Sequence, residues 1–327
     1  MKAISSAMLR LPYNHTVETS ATFFLVGIPG LQSPHLWLAI SLSAMYTIAL
    51  LGNILIVIVI LMDSTLQEPM YCFLCVLALM DIVMASSVVP KMVSIFSSGG
   101  SSISFIACFT QMYFVHVATA METGLLLVMA FDRYVAICKP LHYKRILTPQ
   151  VMLGMSVTIM IRAIIFMTPL SWMVSHLPFC GSNIVLHSYC EHIAVAKLAC
   201  ADPMPSGLYS LIGSSIIVGS DVAFIAASYY LILRAVFGLS SKNAQLKALS
   251  TCCSHVGVMA LYYLPGMASI YVAWLGQDVV PLHTQVLLAD LYLLIPPALN
   301  PIIYGLRTKQ IRERIWSLLM HSLTSLF

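Results

Sequence analysis

The stretch Met129–Cys138, MAFDRYVAIC, sets an acid, a base and a phenol side by side: Asp132, Arg133 and Tyr134. They fall where an oily segment runs into a basic loop. Ionisable groups at that depth are costly and mark function by default. The plainer alternative is that Arg133 only snorkels to the headgroups. Further polar groups sit in mid-segment: Asn53, Asp81, Glu122 and Asn300, with Asp221, Asp290 and Arg162 besides. Two carboxylates in a dry interior repel, so either one is protonated or a cation lies between them. A Na⁺ ion held by oxygens from Asn53, Asp81, Glu122 and Asn300 would satisfy that group, and so would a network of structural waters around a neutral acid. Arg162 must pair with one of the acids or line a cavity. No Ser/His/Asp set, Gly-rich phosphate loop or HExxH string is present, which argues against an enzyme.

The elements that must position these groups are membrane helices. Of 327 residues, 60% are apolar and 9% charged, against about 25% charged in soluble domains. A net charge of +4 gives no reason to expect a nucleic-acid partner. Seven segments reach bilayer length (about 20 residues), roughly 36–62, 70–96, 103–137, 149–174, 207–237, 246–275 and 282–306. They must be helices, since an open sheet cannot satisfy its backbone in lipid. The expected fold class is therefore all-α: a seven-helix transmembrane bundle over 36–306, preceded by a tail over 1–35. Residues 307–327 follow as a short amphipathic helix and tail. Met1–Ala21 is polar and lacks an apolar core, so the first span is expected to do the targeting.

Basic residues set the orientation. With the N-terminus outside, Lys139, Lys144, Arg145, Arg234, Lys242, Lys247, Arg307, Lys309, Arg312 and Arg314 all face the cytoplasm, and few bases lie opposite. Asn14-His15-Thr16 is then a glycosylation sequon on the outside. So are Cys108, at the start of span three, and Cys180, Cys190 and Cys200 in the long loop after span four. An oxidising exterior favours disulfides among them, in any of three connectivities. His187, Cys190, Glu191 and His192 also have the composition of a metal cluster, but a Cys190 in a disulfide could not be a thiolate ligand. Pro90, Pro169, Pro265, Pro296, Pro297 and Pro301 mark kinks. Ile311, Ile315, Trp316 and Leu319 alternate with bases, as in a helix lying on the inner leaflet. A transporter would also use broken helices, usually in inverted repeats, and the chain has no such repeat.

With these strings in hand, the chain resembles a rhodopsin-like G-protein-coupled receptor, and within that group an olfactory receptor of the fish-like, class I branch. The likeness rests on Gly52-Asn53, PMYCFLCVLALMD (Pro69–Asp81), MAFDRYVAICKPLHY (Met129–Tyr143), Ser228-Tyr229, KALSTCCSH (Lys247–His255) and NPIIYGLRTKQIRERI (Asn300–Ile315). HSYCEH (His187–His192), FFLVGIPGLQ (Phe23–Gln32) and IPPALNPIIYG (Ile295–Gly305) carry the branch assignment. Phe131 and Cys253 depart from the usual Tyr and Gly.

The resemblance implies a plasma-membrane receptor that takes a small volatile or weakly polar odorant in the outer half of the bundle and activates a heterotrimeric, stimulatory G protein, raising cAMP. Asp132 would restrain Arg133 at rest; Tyr134, Tyr229, Asn300, Pro301 and Tyr304 complete the coupling switch. It implies the pairs Cys108–Cys190 and Cys180–Cys200. It also matches Asn53, Asp81, Glu122 and Asn300 to a cation site, with no other cofactor. His116 lies about five helical turns outward of Arg133 and should face the cavity with Val115, Thr119, Met167, Leu170, His192, Tyr263, Ile270 and Leu287. A carboxylate ligand would need Arg162, Lys91 or a protonated histidine, so an apolar, neutral or weakly acidic ligand is expected. Besides odorant and G protein, the partner is membrane lipid.

Overall fold

A computed structural model describes residues 22–31, 35–66, 68–180, 182–238, 240–276 and 279–324. The sequon at Asn14 lies outside them. Seven of its helices are long and apolar enough to cross a membrane. They are α1 (Leu36–Met62), α2 (Pro69–Ser98), α3 (Phe105–Cys138), α5 (Pro149–Ser175), α7 (Met204–Phe237), α8 (Lys242–Leu275) and α9 (Leu282–Arg307). Short helices α4 (Tyr143–Ile146) and α6 (His192–Ala196) lie in connections, and α10 (Lys309–Thr324) follows the bundle.

Local chemistry places the helix ends. Pro69 and Pro149 occupy first-turn positions, where no backbone donor is needed. Ser104 caps α3 by accepting from the Ala107 N–H at 3.3 Å. Gly99, at φ +70°, closes α2 in the left-handed region and donates to the Ile95 carbonyl.

The outer surface is apolar like the core, and several acids are buried inside. Trp37, Ile40, Leu51 and Leu61 of α1 are all more than half exposed, while Asn53, Asp81, Glu122, Asp132, Asp221 and Asp290 are buried. Hydrocarbon is the solvent that suits such a surface. Helix α3 runs through the middle and packs on α2, α5, α7 and α8.

The seam between α1 and α9 shows how one residue permits another. A Cβ on Gly52 would stand 2.7 Å from Pro301, so only glycine lets the two helices close there. Pro301 has no N–H to give the Pro297 carbonyl one turn earlier. Asn53 supplies that donor instead, its Nδ2 reaching Pro297 O at 2.9 Å and Ala49 O at 2.8 Å.

One end of the bundle carries a small sheet absent from the sequence reading. Strand β1 (Thr22–Leu25) lies between β2 (Ser102–Ser104), antiparallel, and β3 (Ile184–Val185), parallel. Phe23 and Leu25 point inward, at 1% and 0% exposure, and Phe24 outward at 41%. The two-residue alternation of a half-buried strand was present in a stretch too short to stand out. Phe23 packs among Phe105, Phe109 and Phe179. At the opposite end, α10 is the expected amphipathic helix. Ile311 and Ile315 turn into the bundle core, while Trp316 stays 64% exposed on another side.

Candidate functional site

The Asp132 carboxylate, fully buried, is held from two sides. Arg133 donates to Oδ2 through Nε at 2.9 Å and also through Nη2. Tyr143 donates to Oδ1 at 2.7 Å from the short helix α4. Burial, and then the neighbouring Asp132 charge, push the Tyr143 phenol well up, so it stays a donor. Tyr143 lay inside the quoted motif, but nothing in its position eleven residues on assigned it a role. Tyr134 does not join this cluster; the Lys139 ammonium sits 6.0 Å over its ring.

Among the groups within electrostatic reach of Arg133 are Tyr229, His255 and Tyr304. The Tyr229 hydroxyl lies 2.6 Å from His255 Nδ1, and the buried Tyr304 hydroxyl has no partner. His255 was legible only as part of the KALSTCCSH string. Deeper in, Asn300 donates to both oxygens of Asp81, at 3.2 and 3.0 Å. Glu122 Oε1 and Asn300 Oδ1 are buried without partners. Two orphaned acceptor oxygens beside a carboxylate suit a small cation.

At the end carrying the sheet, a cavity of about 440 Å³ opens between α3, α5, α7, α8, α9 and the long loop. From α3 it takes Val115, His116 and Thr119; from α5, Met167 and Leu170. Tyr263, Ile270 and Trp274 come from α8, and His187, Glu191 and His192 from the loop. Leu287 is not a wall: it is 39% exposed on the outside of α9, and Val286 and Ala289 face inward in its place. A turn of about 100° per residue makes that difference.

The loop is a lid fixed at several points. Cys190 is bonded to Cys108, and Cys180 to Cys200. The Cys190 N–H donates to Gln111 Oε1 at 2.8 Å, and Gln111 Nε2 donates to Ser87 O at 2.8 Å. Ser188 Oγ donates to Asp290 Oδ2 at 2.8 Å, tying the lid to α9. Gln111 and Ser188 were missed because their partners are far away in sequence.

Burial pushes His187 down to about 3, and burial with the adjacent His116 does the same for His192. Both are neutral rings. His116 and His192 meet edge to face, ring centroids 6.1 Å apart. Among the described residues no group of three His, Cys, Asp or Glu is placed to hold a metal, and Cys190 of the HSYCEH string is taken up in its disulfide. Arg162 takes the first of its two expected fates. It grips Asp221 with Nη1 at 2.6 Å and Nη2 at 2.9 Å, and reaches Thr123 Oγ1 at 3.2 Å. Lys91 donates to the Gly100 and Ser102 carbonyls instead of entering the cavity.

A lidded apolar cavity at one end of seven membrane-length helices, with a buried ion pair at the other, defines a seven-helix membrane receptor. A family model described as "Olfactory receptor" matches residues 42–322. Human olfactory receptor 52I2 is 83% identical over 322 residues, covering 98% of this chain and 92% of that protein. Human olfactory receptor 52I1 is 82% identical over 316 residues, covering 97% and 98%. Human olfactory receptor 51E2 is 44% identical, covering 91% and 92%. The chain belongs to the olfactory receptor family: it is a multi-pass odorant receptor of the G-protein-coupled kind, not an enzyme.

Proposed function

We propose that the lid faces the exterior of the plasma membrane, that a small volatile or weakly polar odorant settles beneath it, and that the far end of the bundle then engages a stimulatory, olfactory-type heterotrimeric G protein that raises cAMP. The observation that carries this reading is the pairing of cavity and latch on one helix. His116 and Arg133 both sit on α3, about 25 Å apart at 1.5 Å of rise per residue. The N-outside orientation is supported by the basic residues gathered at the latch end and the disulfides at the lid end.

In this reading His116, Thr119, Met167, Leu170, His192, Tyr263 and Ile270 meet the odorant. Asp132 and Tyr143 restrain Arg133 at rest. Tyr229 and Tyr304 line the opened groove, while Asn300 and Pro301 let α9 bend. An odorant acts only through its different affinity for the closed and opened arrangements. A Na⁺ ion held by Asn53, Asp81, Glu122 and Asn300 would neutralise two acids that otherwise oppose each other. Arg133→Ala is the test. Surface staining should stay normal and odorant-dependent cAMP should vanish; cAMP at the wild-type level in that variant excludes this reading.

A further inference from the structure

We infer that the odorants this cavity selects carry a hydroxyl group: alcohols or phenols with an apolar body, the hydroxyl seated on His192. The inference rests on the odorant-receptor reading and names the ligand class of the same cavity. His192 is 2% exposed, and neither of its ring nitrogens has a partner. A neutral imidazole offers one donor and one acceptor. One hydroxyl reaches one of these nitrogens, and only a ligand with a donor can meet the ring's unfilled lone pair.

The rest of the cavity agrees. Burial keeps His192 uncharged, so it holds a lone pair as well as an N–H. The Trp274 indole N–H is also buried without a partner and lines the same space. It is a donor only. The Trp274 ring packs where a side chain on residue 207 would stand, so Gly207 gives it its seat. The cavity thus presents an acceptor together with donors. A hydroxyl both donates and accepts; an aldehyde or ketone only accepts; a hydrocarbon does neither.

A carboxylate only accepts, and it brings a charge. The nearby cations are already matched. Arg162 is clamped by Asp221, Lys91 by two carbonyls, and Lys197 interacts electrostatically with Glu191 on the lid. An acid entering this space would be desolvated without a counter-charge of its own.

The test uses the full chain in cells with a cAMP reporter. Straight-chain, cyclic and aromatic skeletons are each presented as alcohol, aldehyde, carboxylic acid and hydrocarbon; the straight-chain set is heptanol, heptanal, heptanoic acid and heptane. On every skeleton that activates, the alcohol should be more potent than the acid and the aldehyde by about tenfold, the weight of one hydrogen bond. His192→Phe should move the alcohol's half-maximal concentration up by about tenfold with the aldehyde little changed. His192→Gln keeps a donor and an acceptor and should recover most of the loss. Acids or aldehydes outranking alcohols overturn the ligand class while leaving the receptor reading intact. So does an unchanged alcohol response in His192→Phe. Silence across all skeletons, with Arg133→Ala indistinguishable from wild type in ligand-free cAMP, brings down both.

Discussion

Asp132 accepts from Arg133 on one oxygen and from Tyr143 on the other, so the latch has two independent donors. A single intramolecular hydrogen bond contributes about 0.5–1.5 kcal/mol. Tyr143→Phe removes one without opening a void. Ligand-free cAMP, normalised to surface staining, should rise by up to about tenfold, because the restraint on Arg133 is weakened and nothing else is lost. Unchanged basal cAMP would mean that Tyr143 merely holds α4 in place. The seam residue Gly52 makes the opposite demand. A side chain there meets the Pro301 ring, which cannot swing aside. Gly52→Val should cost about 1–3 kcal/mol, as overpacking does, and appear as a lowered melting temperature of the detergent-purified receptor.

Among the elements, the lid decides whether the cavity exists as an enclosed space. It is stapled to α3 by Cys108–Cys190 and to α9 by Ser188–Asp290, and its second disulfide closes a ring of its own. Strand β1 adds the chain preceding α1 to the same layer, burying Phe23 among three further phenylalanines. Losing a native disulfide costs about 2–5 kcal/mol. Cys108→Ser and Cys190→Ser should each abolish surface display, and equally so, because either change breaks the same bond. Display of one variant but not the other would show that the bond is not what export requires.

Taken as a whole, the bundle is a shell of lipid-compatible side chains around a mostly apolar core, within which one polar group crosses four helices. Asn53 comes from α1, Asp81 from α2, Glu122 from α3 and Asn300 from α9. A cation bound there would tie these helices together and stabilise only the arrangement that forms the cage. Replacing choline with Na⁺ should therefore raise the melting temperature of the wild-type receptor and leave that of Asp81→Asn unchanged. Equal melting in the two salts for wild type would leave the acids to waters and a shared proton.

The amino-acid order alone determined the solvent, the number of membrane-length helices and the family likeness. Those depend on run length, on the rarity of charge and on contiguous strings such as MAFDRYVAIC, all of which are local. It also set Asp132 and Arg133 side by side, but adjacent helical side chains diverge by about 100°, and their contact was settled by the fold. What required the tertiary structure were choices among distant partners. Arg162 could have joined any of several acids and took Asp221; Leu287 and Val286 differ by one position, and only packing tells which faces inward. Tyr143, Gln111 and Ser188 gained their places through contacts formed on closing the bundle. Pairings of that kind depend on geometry between elements, and periodicity within one element carries no record of it.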